Sequence, residues 1–558
     1  MVNAAIADMF SLLSRLMEIH GENPFKVKSY GAAAFQIEQL NRPLEEIPRN
    51  QVASLQGIGP STATKITEVL ETGTMQVLED FLAKTPTGVL DMMQVKGLGP
   101  KKIAAIWKDM GIETVGELLY ACQENRLMRY KGFGSRTQEN VKAAIEFMLK
   151  YRDSCLFADA EPLAQEIIAF LQQHWPEALH APSGAFRRQC PTLERIDFVT
   201  TTDLAKLTEA IQASDPTMIV WQEPHRITLE KDGQIDLVFH GCQPENFGST
   251  LLSTTGSEAF LAKWQQLYGV IPPRENEEEL FEYAALTIVP PSRREPPYPG
   301  GIQKGSASIN EIQVSDIKGI IHAHSDWSDG VHSLEEMALA CIRSGFEYLV
   351  ISDHSRSAQY AGGLHIEKVS QQHTLIDTLN ARLHPFRIFK GIESDILGDG
   401  SLDYPNEVLA RFDLVIASIH SNLQMSEEKA MMRLMNAVRN PYTDIIGHPT
   451  GRLLLSRPGY PIDHLAFLDA CSEAGVAVEI NAHPRRLDLD WTLIPAALER
   501  NILLSIDPDA HSTEGFSDIR YGVLAAQKGG LTKTSNLSSL SQSELASWLQ
   551  ARRRKISF

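Results

Sequence analysis

The chain has little that would tie it to an oxidising compartment or to a bilayer. Six cysteines occur in 558 residues: Cys122, Cys155, Cys190, Cys242, Cys341 and Cys471. None forms a CxxC pair, so neither a disulfide framework nor a thiolate zinc site is expected. No run reaches the roughly 20 apolar residues needed to span a bilayer. The opening MVNAAIADMFSLLSRLMEIHG is interrupted by Asp8, Arg15 and Glu18. It reads as an amphipathic helix rather than a signal peptide, and the expected location is cytoplasmic. Net positive charge is missing too. The formal total is −18, which argues against general electrostatic affinity for nucleic acid. The deficit is uneven: basic and acidic residues balance at 17 each over residues 1–150, so the acidic excess lies beyond them.

What is present is an ordinary globular composition, 43% apolar and 22% charged, in a chain long enough for two to four domains. Its last 240 or so residues hold the most informative pattern. Short apolar runs end one after another in ligand-type residues: GIIHAHSDWSDG, YLVISDHS, FRIFKGIESD, FDLVIASIHSN, TDIIGHPTGR and ILLSIDPDAH. They carry His322, His324, Asp329, His354, Glu393, His420, His448, Asp509 and His511. A seventh run, VAVEINAHP, ends with Glu479, Asn481 and His483. Such runs predict buried parallel strands whose C-terminal ends meet at one site. In a regular strand residues i and i+2 share a face, so His322 should point with His324, and Asp509 with His511. Imidazole and carboxylate without thiolate suit Zn, Mn or Fe. Seven strand–helix units from about Asp316 predict a barrel of (β/α) type with its chemistry on one rim.

Residues 1–150 read as helices separated by glycine turns. Three turns resemble one another: LQGIGPSTATKI, VKGLGPKKIAAI and YKGFGSRTQENV. A Gly-x-Gly before a helix leaves backbone N–H groups free to meet an anion, and Gly57, Gly59, Gly97 and Gly99 would let a phosphate approach closely. Lys101 and Lys102 follow the second turn. The first two turns resemble the helix-hairpin-helix motif, which grips DNA backbone without reading sequence; the third, with Gly132 and Gly134, departs from the pattern. Residues 155–290 alternate strand-like runs (RIDFVTTTD, TMIVWQ, RITLEKDG, QIDLVFHG) with helical ones, an α+β pattern. A stretch dense in Pro, Gly and Ser follows, TIVPPSRREPPYPGGIQKGSASIN, and reads as a linker.

The stretch HGENPFKVKSYGAAAF, the two hairpin turns, the α+β middle and the histidine-rich runs occur in the order of bacterial family X DNA polymerases, which carry a C-terminal polymerase-and-histidinol-phosphatase (PHP) domain. The resemblance implies a multidomain chain with a helical N-terminal region, an α+β nucleotidyltransferase-like palm and thumb, and a distorted (β/α)7 PHP barrel. The expected domains are a lyase-like DNA-binding domain at 1–80, a fingers-like domain at 81–150, a degenerate palm and thumb at 151–290, a linker at 291–315 and the PHP phosphoesterase at 316–558.

In that family the polymerase site opens with a Gly-Ser turn and an Arg-Arg pair, followed by an Asp-x-Asp strand and a third Asp. In SGAFRRQCPTLERIDFV, Gly184, Arg187, Arg188 and Asp197 match, and Asp236 in QIDLVF matches the third carboxylate. Ala185 stands where a phosphate-binding serine is expected, Arg195 where the first carboxylate is expected, and Ser253–Thr254 replace an aromatic pair. A guanidinium there removes the charge that two cations need. Mg²⁺ or Mn²⁺ in the palm is therefore doubtful, unless a register shift brings Glu194 into that place. Lys65 falls at the position of a Schiff-base lyase lysine.

The resemblance implies three divalent metals in the barrel, Mn²⁺ or Zn²⁺, with Fe²⁺ as a further alternative. One is held by His322, His324, Glu393 and Asp509. A second shares Glu393 with His420 and His448. The third is held by Asp329, His354 and His511. Glu393 and a phosphate-clamping Arg452 are the expected catalytic residues, and His483, Arg485 and Arg486 could line the substrate path. The implied function is DNA repair by phosphoester hydrolysis: 3′→5′ exonuclease, abasic-site endonuclease and 3′-phosphatase, on gapped, nicked, 3′-ended or abasic DNA, with polymerase activity weak or lost. The alternatives are an active gap-filling polymerase with the barrel as proofreader, a histidinol-phosphatase-like enzyme, and a non-catalytic DNA-binding scaffold. No membrane partner is expected, and oligomeric state is not legible.

Overall fold

The computed structural model describes residues 3–40, 42–55, 58–123, 126–150, 154–231, 235–296 and 311–556. By compactness the chain divides into Met1–Arg152 and Asp153–Phe558. The first unit is helical around one core that runs from Ile6 to Ile145. Its opening helix, Asn3–His20, buries Ile6, Phe10, Leu13 and Met17. Those spacings of four, three and four place them on one stripe of a 3.6-residue helix. The next helix, Pro24–Glu38, begins where its sequence dictates: Asn23 accepts from the N–H of Phe25 at 2.9 Å, and proline takes the first helical position.

The second unit holds two large sheets. One is five-stranded, in the spatial order His180–Ser183, Arg195–Thr200, Asp236–Gly241, Arg226–Glu230, Ile219–Glu223. Its two central strands are parallel and set Arg195 opposite Asp236 and Asp197 opposite Val238. The other sheet has seven strands: Gly319–Ala323, Tyr348–Ile351, Arg387–Asp395, Leu414–Ser418, Ile445–Ile446, Ala477–Asn481 and Leu504–Asp507. Each pairs in parallel with the next in chain order. A bridge between Ala323 and Ala510 brings the last strand round to the first, giving a nearly closed barrel.

Parallel strands covered on both faces must be apolar throughout, which is why these runs do not alternate with polar residues. Alternate positions still part company. Ile321, Val350, Phe389, Ile416 and Ile445 form an inner cluster, while Ile320, Leu349, Ile388, Val415 and Ile446 pack outward under the helices. All seven C-terminal strand ends meet on one rim.

The middle of the stretch read as a linker, residues 297–310, lies outside the described residues. On either side the chain is packed: Ser292, Arg293 and Arg294 are buried, and Ile312 joins the barrel core. The five-stranded part and the barrel also share buried charge. Lys528, in the barrel helix Ile519–Gly529, ion-pairs with Glu295 and donates to the Arg188 carbonyl at 2.8 Å.

Candidate functional site

The barrel rim gathers all nine expected ligand residues. Four overlapping groups have ligand atoms within 4.8 Å of one another: His324–Asp329–His354–His511, His322–Glu393–His448, His322–His324–Asp509 and His354–Glu393–His420. Glu393 is central. Its Oε1 lies 3.1 Å from His420 Nε2, 3.0 Å from His448 Nε2 and 3.3 Å from His322 Nε2. Its Oε2 lies 2.9 Å from His354 Nδ1. His354 therefore stands between the Asp329–His511 group and Glu393, closer to Glu393 than the implied partition into three sites expects.

The pleat alone does not bring these residues together. The first barrel strand shifts register between Ile320 and Ala323. His322, His448 and Asp509 adopt left-handed backbone, with φ of +62°, +25° and +51°. Left-handed backbone in a non-glycine residue costs energy and persists where the surroundings over-determine it. Here three candidate ligands share it on one rim.

The donor set fits divalent cations. His322 Nε2, His324 Nδ1 and Glu393 Oε2 are buried polar atoms that make no well-aligned hydrogen bond although other ligand-type groups crowd round them, a costly condition that a cation would relieve. Electrostatics point the same way. Burial opposes the charge on His354, but Glu393 and Asp329 outweigh it and hold its pKa up at about 10. His420 is likewise raised against burial to about 9 by Glu393 and Asp395. Burial, with His354 and His511 adding, pushes His324 down to about 3. Burial would raise Glu393, yet His420, His322 and His354 hold it far below the usual carboxylate range.

A second layer aims these side chains, and residue-type reasoning largely missed it. Glu479 accepts His322 Nδ1 and leaves Nε2 facing the centre. Asp395 takes His420 Nδ1 at 2.5 Å. Asn481 donates to Asp509 at 3.1 Å. Fixing the far nitrogen sets an imidazole's tautomer and direction. The signal was present in VAVEINAHP and in GIESD, where Asp395 sits two residues after Glu393 on the same strand.

Arg452 does not reach into this centre. Its guanidinium donates to the Arg486 carbonyl at 2.9 Å and to the Leu487 carbonyl, and pairs with Asp490. Each of its three nitrogens makes a bond to the loop after Asn481, whereas a phosphate clamp is what the sequence leads one to expect of Arg452. Among the described residues, Arg486 brings its guanidinium to 3.7 Å from Asp509. His483 accepts from the Arg485 N–H at 3.2 Å.

The five-stranded sheet brings Gly184, Arg195, Asp197 and Asp236 together, but with a different outcome. Both oxygens of Asp197 meet Arg195 Nε, at 3.2 and 3.1 Å, and Oδ1 meets His240 Nε2 at 3.0 Å. Burial would raise Asp197, but His240 and Arg195 hold it below its ordinary range. The strand begins at Arg195, which pairs with Asp236 and shares the face of Asp197, while Glu194 precedes its first residue. Gly184 has φ +60°, and a Cβ there would sit 2.3 Å from Asp197 Oδ2. Arg187 forks onto Glu277 at 3.0 and 2.8 Å. Arg188 meets Glu295 at 3.0 Å and the Thr255 carbonyl at 2.7 Å.

In the helical unit, Gly57 lies outside the described residues. The described residues of the three glycine turns nonetheless make the same pair of backbone bonds. Ile58, Leu98 and Phe133 donate to the carbonyls of Leu55, Val95 and Tyr130 at 3.1, 3.1 and 3.0 Å. Ala63, Ile103 and Gln138 donate to the carbonyls of Gly59, Gly99 and Gly134 at 2.9, 3.1 and 3.0 Å. The third turn, irregular in sequence, is thus the same structure. Gly97 has φ +90°, which side chains rarely adopt, and space is open around Gly59, Gly97 and Gly99. Lys101 is exposed, whereas Lys102 bends back to the Gly97 carbonyl at 3.3 Å. Lys65 is paired with Glu68 at 2.5 Å.

Comparison with known proteins fits this geometry. Residues 1–75 match a helix-hairpin-helix domain and residues 89–146 a SAM-like helix-hairpin-helix tandem. The DNA polymerase/3′-5′ exonuclease PolX of Bacillus subtilis is 36% identical over 561 residues, which cover 95% of this chain and 96% of that protein. A probable phosphatase of Caldanaerobacter subterraneus is 34% identical over 29% of this chain and 60% of its own length. A probable phosphatase of Thermoanaerobacter is 26% identical over 42% of this chain and 95% of its own length.

Proposed function

Because the chain belongs to the PolX family of bacterial family X DNA polymerases with a PHP domain, we propose that its working centre is the barrel cluster, hydrolysing phosphoesters in DNA as a 3′→5′ exonuclease, abasic-site endonuclease and 3′-phosphatase. One observation carries this reading: nine ligand-type side chains from strand ends scattered over 190 positions converge around buried Glu393. Three divalent cations, Mn²⁺ or Zn²⁺, or Fe²⁺, are the proposed occupants. His322, His324, Asp509 and Glu393 would hold one, Glu393 with His420 and His448 a second, and Asp329, His354 and His511 the third. When bound, such cations lower the pKa of water towards 7 and offset charge on phosphate oxygens.

The chain's own residues do the rest. Glu479 and Asp395 hold two imidazoles with Nε2 towards Glu393, so both are aimed before substrate arrives. Arg486 offers a guanidinium beside Asp509 where a phosphate enters. Arg452 keeps that loop in place. The proposed partner is DNA, met through the backbone amides of the hairpin turns at Gly59, Gly97 and Gly99, and helped by Lys101.

In the palm we assign nucleotidyl transfer as weak or lost. Arg195 and His240 already neutralise Asp197, where two dications would need free carboxylates. Lys65, held by Glu68, is assigned a charge-pairing role rather than a Schiff base. The alternative, a gap-filling polymerase, has the name of the Bacillus relative in its favour. A histidinol-phosphatase-like enzyme would have no use for the hairpin turns.

One gel tests the whole reading. Labelled primer–template is incubated in Mn²⁺ with and without nucleotides, using wild type and Glu393→Ala. Shortening that Glu393→Ala abolishes, without lengthening by wild type, is expected. Extension at a rate comparable to degradation overturns the palm assignment, and degradation that survives Glu393→Ala overturns the barrel assignment.

A further inference from the structure

Two rim loops of the barrel, 447–460 and 482–490, are bound to each other more tightly than two neighbouring loops require. Thr450 N–H and Oγ1 both donate to Asp488 Oδ2 at 3.0 Å. Leu454 N–H donates to the Arg485 carbonyl at 2.6 Å. Arg452 adds its contacts to the Arg486 and Leu487 carbonyls and to Asp490. The 447–460 loop is also braced internally, with Tyr460 donating to the carbonyls of Thr450 at 3.0 Å and Pro449 at 2.6 Å.

This braced platform carries Arg457, Arg485 and Arg486. Among the described residues, no carboxylate lies within ion-pair distance of Arg457 or Arg485, and Arg486 has only Asp509 at 3.7 Å. Arg457 spends Nε and Nη2 on one acceptor, the Gly451 carbonyl, at 3.1 and 2.7 Å, which leaves Nη1 uncommitted by those bonds. Arg457 and Arg486 also feel each other: burial first, and then the neighbouring Arg486 charge, lower the Arg457 pKa. The acidic excess of the sequence lies in this half of the chain, yet among the described residues Arg457 has the Arg486 guanidinium as its charged neighbour and no acid of its own, and exposed Arg485 directly precedes Arg486 in the chain. Like charges fixed on rigid backbone are unfavourable unless an anion completes them. Preorganised guanidinium forks match phosphate oxygens.

We infer that Arg457, with exposed Arg485, forms a second phosphate subsite that takes the backbone phosphate next to the one at the metal cluster. This rests on the proposed hydrolysis of DNA and adds to it: the barrel would prefer a strand with two consecutive phosphates over a substrate with one. Arg486, nearest Asp509, serves the reacting phosphate, and Arg457 and Arg485 serve its neighbour.

The test compares TpT, with one phosphodiester, and TpTpT, with two, in Mn²⁺. Both are too short to need the helical unit. Wild type should show kcat/KM for TpTpT about tenfold above TpT, the size of one charge-assisted contact, and the difference should lie in KM. In Arg457→Gln the ratio should fall below about twofold, and Arg457→Lys should recover part of it. Binding of TpTpT to Glu393→Ala, followed calorimetrically, should weaken in parallel when Arg457→Gln is added. If Arg457→Gln does not fold, Arg485→Gln, at an exposed position, reads the same ratio. A wild type that cleaves TpT and TpTpT equally overturns this inference and leaves DNA hydrolysis standing. So does a ratio unchanged in both variants, or a loss that falls equally on both substrates through kcat. A wild type that cleaves neither overturns the parent reading, and the subsite with it.

Discussion

The two acidic centres of the second unit begin from the same ingredient and end differently. In the five-stranded sheet, buried Asp197 is met by Arg195 and His240. In the barrel, buried Glu393 is met by four imidazoles, His322, His354, His420 and His448. A guanidinium keeps its proton at any ordinary pH, so Arg195 is a permanent counter-charge to Asp197. An imidazolium surrenders its proton to become a ligand. The lesson is that a cluster of acids is made catalytic or inert by whether its cationic neighbours can be exchanged for metal.

The most severe way to break this comparison is to remove the shared carboxylate. Glu393→Ala should lower Mn²⁺-dependent hydrolysis by about 10³-fold, since the cations contribute several kcal/mol. Elemental analysis should show less bound metal than in wild type. Removing only an aiming group is milder: Glu479→Ala, which frees His322 Nδ1, should cost about 10- to 100-fold in metal affinity, read by competition with a chelator. In the palm the comparison can be inverted. Arg195→Asp should create Mn²⁺ binding beside Asp197 that is absent in wild type, measurable by calorimetry on Glu393→Ala protein; no added binding would mean that His240 alone closes the site.

Acidity offers a subtler probe. His354 and His420 have folded-state pKa values raised to about 10 and about 9. Their charged forms therefore stabilise the metal-stripped protein fully below the unfolded value near 6.5, and that stability is lost as pH rises to 9–10. Chelator-treated protein should melt at progressively lower temperature between pH 7 and 10, and metal-loaded protein should not. The smallest effect belongs to the helical unit: Lys65→Ala, which removes a partly exposed pair with Glu68, should change hydrolysis less than about twofold.

Much of this was legible in residue order. Continuous apolar runs ending in His, Asp or Glu gave away parallel strands and a common rim, because strands buried on both faces leave polar residues only at their ends. All nine expected ligands do meet. The supporting groups were harder to find. Glu479 and Asp395 sit in the same runs but are not distinguished there from ligands, since a carboxylate's role depends on which imidazole nitrogen it faces. The hairpin turns show the opposite limit. YKGFGSRTQENV looked irregular, yet its backbone bonds repeat those of the other two turns, because the turn is defined by main-chain geometry and glycine placement more than by the proline that follows.

The order of residues by itself determined the strand and helix periods and the supply of imidazole and carboxylate, since each is a property of residue type and spacing. Only the tertiary structure decided that Arg452 braces a loop while Arg486 faces Asp509, that His240 meets Asp197, and that His322, His448 and Asp509 reach the centre through left-handed backbone. Those outcomes depend on distances between segments far apart in the chain, and such distances are set when the barrel closes.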